Sequence, residues 1–78
     1  MLQRVTRKEI DELWFNSEPV PGAAFKLNDD VLIASGTFKG EGGAVISLLA
    51  LEREPVYLVE LSSGADAEVA ESDLRRAD

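Results

Sequence analysis

The chain has 78 residues and a net charge of −7, and it contains neither cysteine nor histidine. This length provides for one small domain, and the missing residue types exclude disulfides, thiolate metal sites and the commonest general base. The negative excess lies entirely in residues 27–78, because residues 1–26 carry four basic and four acidic side chains. An acidic surface repels phosphate and attracts basic partners, so the charge favours protein contacts over nucleic acid.

The first predicted element is a helix over residues 7–16. Thr6 is placed as its N-cap and Glu9 follows three positions later, as in a capping box. Ile10 and Trp14 share an apolar stripe with Leu13, so we expect this face to pack on the rest of the domain. Phe15 points about 100° away from its neighbour Trp14, so the two side chains cannot face the same core. Phe15 is predicted to be exposed and to contact a partner, and the alternative is a helix buried on two sides.

A stiff connector follows the helix. Pro19, Pro21 and Gly22 oppose helix continuation, so the chain is divided into a helix and Pro-rich connector over residues 1–24 and a β domain over residues 25–78. The first twelve residues are rich in charge and lack an apolar run, so we expect neither a signal peptide nor a membrane span. A cytoplasmic protein is the resulting expectation.

All later segments indicate β structure. We predict strands at residues 31–34, 44–51, 56–61 and 67–70 and a helical turn at 71–74. The last segment, from Arg75, is expected either to add a short strand or to fray. The second strand is apolar on both faces, which is expected where a strand bends through a barrel or is covered by a helix. Asp29 and Asp30 are interpreted as turn-capping residues rather than as half of a cation site.

A glycine-rich turn joins the first two predicted strands. Gly36, Gly40 and Gly43 are expected to adopt positive φ, so that the chain reverses while Phe38 reaches the core and Val45 restarts a strand.

These residues form the pattern G-x-F-x-G-x-x-G-x-V, which resembles the KOW motif of NusG-type transcription factors and several ribosomal proteins. The resemblance covers about residues 27–76 and implies a mainly β fold, a single small SH3-like five-stranded barrel carrying an N-terminal α-helix. In that family the glycine turn and its neighbouring strands dock on nucleic acid, ribosomal components or proteins, without catalysis. By position, the resemblance implies a contact surface at Phe38, Lys39 and Glu41.

Catalytic and cofactor signals are weak. Ser62 and Ser63 lack a histidine to activate them, and the loop from Gly40 to Gly43 lacks the following helix that a phosphate cradle requires. We therefore expect a non-enzymatic protein with no cofactor and no metal.

The main functional prediction is a protein-protein interaction module or small accessory subunit that uses an acidic barrel to dock on a protein partner. Candidate contact residues are Phe15, Phe38, Lys39, Glu41 and Arg53. A homodimer formed through the helix or a free strand edge is a further prediction at this size, and no membrane contact is expected.

Two alternatives remain open. A KOW-type module for RNA or a ribosomal or transcription complex would use the basic side chains Lys39, Arg53, Arg75 and Arg76. An acidic inhibitor or immunity-type protein would instead cover a basic site with Asp66, Glu68, Glu71 and Asp73.

Overall fold

The protein is a five-stranded antiparallel sheet preceded by one helix, in a computed structural model that describes residues 6–77. The strands lie in the order β4-β3-β2-β1-β5. The mainly β class, the N-terminal helix and the five strands are confirmed. The elements are α1 (Arg7–Phe15), β1 (Asp30–Ile33), β2 (Gly42–Ala50), β3 (Val56–Leu61), β4 (Asp66–Ala70), a 3₁₀ turn (Glu71–Asp73) and β5 (Leu74–Arg76).

Helix α1 begins at its predicted cap. The hydroxyl of Thr6 accepts a hydrogen bond from the backbone N–H of Glu9 at 3.1 Å and donates one to the Glu9 carboxylate at 3.1 Å. The helix ends at Phe15, and Ser17 then takes a left-handed φ of 56°, which breaks the helical path. The predicted helix is one residue longer than the observed one.

Strand β2 is bent. Its pairing with β3 shifts register between Val45 and Ser47 and again between Leu48 and Ala50. Bulges of this kind bend a strand and increase its twist, which agrees with the apolar pattern on both faces of this segment. Leu48 packs against the buried core, and Leu49 is 42% exposed.

One buried cluster unites the sheet, the helix and the connector. It receives side chains from all five strands, together with Trp14 of α1, Val20 of the connector and Phe25 just after it. Tyr57 lies fully buried at its centre, where its ring stacks on Trp14 with centroids 6.2 Å apart and meets the edge of Phe25 at 5.7 Å. The aromatic contacts therefore join three segments that are distant in sequence.

The sheet is open between its two ends. Strands β4 and β5 are the outermost strands, and no pairing joins them within residues 6–77. The closed five-stranded barrel expected from the sequence is therefore not seen. Strand β5 has three residues and pairs with β1 along that length.

The glycine turn is built differently from the prediction at one position. Gly36 and Gly40 have φ of 92° and 94°, as expected, but Gly43 lies within β2 without a positive φ. A Cβ at Gly43 would overlap with the carbonyl oxygen of Glu60 and lie 2.9 Å from Cγ1 of Val59. Glycine is needed there because β3 approaches the β2 backbone closely.

Candidate functional site: an acidic sheet face

Three of the predicted contact residues lie on the loop between β1 and β2. The backbone N–H of Gly40 donates to the carbonyl of Ile33 at 2.8 Å, and the N–H of Ile33 donates to the carbonyl of Glu41 at 2.9 Å. These two bonds hold the loop in a compact reversal. Phe38 is half-buried and packs against the core, which is the structural role expected of it, whereas Lys39 is exposed.

Lys39 shares an open cleft with another basic side chain. The cleft is lined by Leu32, Gly40, Lys39 and Arg75, together with Ile33 and Ala34. Glu41, on the same loop, is half-buried and lies 3.4 Å from the hydroxyl of Ser63, which donates to its carboxylate. This end of the sheet thus combines two positive charges with apolar surface.

The other two predicted contact residues lie on different elements. Phe15 is 75% exposed at the end of α1 and lines a cleft with Leu48 and Leu49 of β2. Arg53 is exposed in the loop between β2 and β3, where it has a left-handed φ of 64°. The five predicted residues are therefore distributed over a helix and two loops rather than gathered around one cleft.

The structure aligns carboxylates from three strands, of which only Asp66 and Glu68 were grouped from the sequence. Asp30 of β1 is paired with Ala44 of β2, Ala44 is paired with Glu60 of β3, and Glu60 is paired with Asp66 of β4. Directly paired residues point to the same side of a sheet, so these three acids form one row across four strands. Glu68 lies two residues beyond Asp66 on the same side, and we call these four residues the acidic face.

All four carboxylates of the acidic face belong to exposed residues. The small residues Gly42 and Ala44 floor a shallow groove between Asp30 and Glu60. Glu60 and Asp66 are direct neighbours, and like charges in directly opposed positions destabilise a sheet by several tenths of a kcal/mol. The acidic face therefore costs stability in the isolated chain.

Internal partners do not compensate this charge. The ion pairs of the described residues are Arg7 with Asp11 at 3.5 Å and Arg76 with Asp29 at 4.0 Å, and neither involves the acidic face. Within residues 6–77 no group of three or more carboxylates is arranged to hold a metal ion. An exposed row of carboxylates produces a negative potential that attracts positively charged groups.

Other acids serve the fold. One Glu71 carboxylate oxygen accepts hydrogen bonds from the Tyr57 hydroxyl at 2.6 Å and from the backbone N–H of Ala24 at 2.7 Å. Asp73 accepts a hydrogen bond from the hydroxyl of Ser35. Two of the four acids predicted for an inhibitor surface, Asp66 and Glu68, are exposed. The other two, Glu71 and Asp73, are half-buried, and their carboxylates accept hydrogen bonds from within the chain.

Asp29 caps the turn before β1, because its carboxylate accepts from the backbone N–H of Lys26 at 2.8 Å. The turn role predicted for this residue is thereby confirmed. Its neighbour Asp30 differs, since it lies in β1 as the first member of the acidic face.

Burial and the hydrogen bond to Glu71 raise the pKa of Tyr57 well above its ordinary value of 10.0. Burial is the larger cause, because the ionised phenolate would lose its hydration. The phenol therefore remains a hydrogen-bond donor under physiological conditions.

No helix in the described part of the chain is long and apolar enough to cross a membrane. Comparison with known proteins assigns no family, since no protein-family model, curated protein or solved structure matches the chain significantly.

Proposed function

We propose that the chain is a small SH3-like domain that acts as a non-catalytic protein-interaction module or accessory subunit and docks on a basic protein partner through its acidic face. The strand order, the long loop between β1 and β2, and the 3₁₀ turn between β4 and β5 support the SH3-like assignment. The glycine pattern from Gly36 to Gly43 supports a relationship with KOW domains.

The observation that carries this proposal is the row of carboxylates across the sheet. Glu60 and Asp66 repel each other at a Cα separation of about 4.5 Å, the usual spacing of a non-hydrogen-bonded antiparallel pair. A partner with lysine or arginine side chains relieves that repulsion on binding, so the charge that weakens the free domain strengthens the complex. Attraction of this kind also accelerates association and weakens as salt rises.

The test compares two triple variants with equal charge. One variant removes three charges of the acidic face by Glu60→Gln, Asp66→Asn and Glu68→Gln. The control removes three exposed charges elsewhere by Glu12→Gln, Glu18→Gln and Glu52→Gln. Each variant makes the net charge of −7 less negative by three units, so they differ only in where the charge is lost.

We expect the tagged wild type and the control to retain the same basic protein from nuclease-treated lysate, and the acidic-face variant to lose it. Titrating the purified partner into the wild type and into each variant, at increasing salt, then measures and compares their affinities. Equal retention by both variants would show that the acidic face is not the docking surface. Retention that disappears with nuclease would show that nucleic acid carries the interaction.

A second candidate function rests on the cleft shared by Lys39 and Arg75. Two positive charges beside apolar surface suit an RNA backbone, as the KOW resemblance implies for the glycine turn. This hypothesis predicts that Lys39→Ala and Arg75→Ala each weaken binding of single-stranded RNA and each reduce its log-log salt slope by about 0.7. The net negative charge opposes this function, so we place it second.

A further inference from the structure

The outer edge of β4 carries backbone groups that pair with no other strand of the described sheet. The hairpin with β3 has a hydrogen bond from Leu61 N–H to the carbonyl of Ala65 at 2.8 Å at one end. At its other end the N–H of Glu71 donates to the carbonyl of Pro55 at 2.9 Å. Bonded and non-bonded pairs alternate along an antiparallel ladder, so Ala67 and Val69 make the bonds to β3.

The remaining β4 residues therefore direct their N–H and C=O groups away from β3. They are Asp66, Glu68 and Ala70, and β4 is the last strand on this side of the sheet. Side chains alternate in the same way, since Ala67 and Val69 are buried whereas Asp66 and Glu68 are exposed. Two of these three residues, Asp66 and Glu68, thus combine outward backbone groups with a negative charge.

A second copy of this chain fits that edge poorly. Antiparallel pairing of β4 with β4 along its full length, Asp66–Ala70, places Glu68 directly opposite Glu68 of the other copy. Like charges opposed in this way destabilise the pairing.

Pairing with β5 of another copy fails for a different reason. The N–H of Ala34 donates to the carbonyl of Asp73 at 2.7 Å and the N–H of Ala77 donates to the carbonyl of Asp30 at 3.2 Å, so the backbone groups of Leu74 and Arg76 point away from β1. The N–H of Leu74 is itself bonded to the carbonyl of Glu71. Leu74 is buried on the inner face, whereas the open residues of β4 face outward. Directly paired residues point to the same side of a sheet, so pairing these two edges would place the inner face of one copy on the side of the outer face of the other.

We propose that the free edge of β4 binds an extended segment of the partner protein as a sixth, antiparallel strand, with lysine or arginine at alternate positions. This inference rests on the proposed function and adds the mode of binding. Basic side chains on the outer face lie opposite Asp66 and Glu68, while the intervening residues lie beside buried Ala67 and Val69 and are apolar. Main-chain bonds supply affinity and the alternating charges supply specificity.

The test uses a capped peptide of alternating lysine and valine, long enough to span β4, with binding measured by calorimetry. Two derivatives carry the same number of backbone N-methyl groups, one on lysine nitrogens and the other on valine nitrogens. In the proposed strand the lysine N–H groups face β4 and the valine N–H groups face solvent. Methylation at lysine should weaken binding at least about tenfold, and methylation at valine should leave it nearly unchanged.

A variant of the protein tests the same edge without altering charge. Ala70 has φ of −70° and an N–H that points away from β3, so proline can replace it without losing a ladder bond. Ala70→Pro should keep the melting temperature of the wild type and reduce peptide affinity severalfold. Ala70→Ser, which keeps the N–H, is the matched control and should bind as the wild type does.

The outcomes separate this inference from the proposed function. Equal binding of the two methylated peptides, with loss on neutralising the acidic face, would keep the function and overturn the added strand. Absence of peptide binding to the wild type, together with retention of a basic partner, would also overturn the added strand. Self-association of an Asp66→Asn and Glu68→Gln variant with undiminished peptide binding would assign the acids to edge protection, contrary to the proposal.

Discussion

Position 43 must be glycine because of how closely β3 pairs with β2 there. Its neighbour Gly42 lies on the same strand but has more room, since an added Cβ there would be 3.6 Å from Cδ2 of Leu32. The two glycines therefore form an internal comparison between a close backbone approach and an ordinary packing contact.

We expect Gly43→Ala to lower the free energy of unfolding by about 1–3 kcal/mol, because the new methyl group meets β3 backbone that cannot move without disturbing the ladder. Gly42→Ala should change it by less than about 0.5 kcal/mol. Urea denaturation of both variants measures the difference. Equal stability of the two variants would mean that β3 does not approach Gly43 as closely as described.

At the scale of elements, α1 is attached to the sheet mainly by one aromatic side chain. Trp14 is 5% exposed and stacks on Tyr57, whereas the adjacent Phe15 is 75% exposed. Ile10 and Leu13 are only partly buried. The adjacent aromatic residues thus provide a matched pair in which size and position are similar but burial differs.

Trp14→Ala should destabilise the domain by about 3–5 kcal/mol, a loss comparable with the whole stability of a chain this small. Phe15→Ala should alter stability by less than about 0.5 kcal/mol. Thermal unfolding followed by circular dichroism measures both. An unchanged melting temperature for Trp14→Ala would mean that the helix does not contribute to the core.

Local signals were sufficient to predict the helix and the strands, because their causes lie within a few residues. Thr6 and Glu9 specify a helix start, and the alternation of Tyr57, Val59 and Leu61 specifies a strand. The close approach of β3 to Gly43 was not predicted, and neither was the alignment of Asp30 and Glu60 with Asp66, because both depend on strand register. Asp30, Glu60 and Asp66 are far apart in the chain, and only the pairing through Ala44 aligns them.

At the scale of the whole molecule, the acidic residues have two separate roles. The outer side of the sheet carries uncompensated carboxylates, whereas Glu71 is used at the end where the connector, β3 and the 3₁₀ turn meet. There the Tyr57 hydroxyl also accepts from the backbone N–H of Phe25 at 3.3 Å. Ionisation of this phenol would remove a donor to Glu71 and place two negative charges together, so the fold resists it.

This coupling predicts that stability falls at alkaline pH. Above pH 10.0 the unfolded chain releases the Tyr57 proton while the folded chain retains it, because burial and Glu71 raise the folded pKa. The contribution of Tyr57 to folding stability is therefore fully present below pH 10.0 and decreases above it, by at most about 1.4 kcal/mol per pH unit.

Tyr57 is the only tyrosine, so tyrosinate absorbance reports this side chain alone. Absorbance should rise together with loss of the circular dichroism signal. Tyr57→Phe, although less stable at neutral pH, should lose less stability than the wild type between neutral and alkaline pH. Titration of the tyrosine near its ordinary pKa with the fold intact would contradict the buried network.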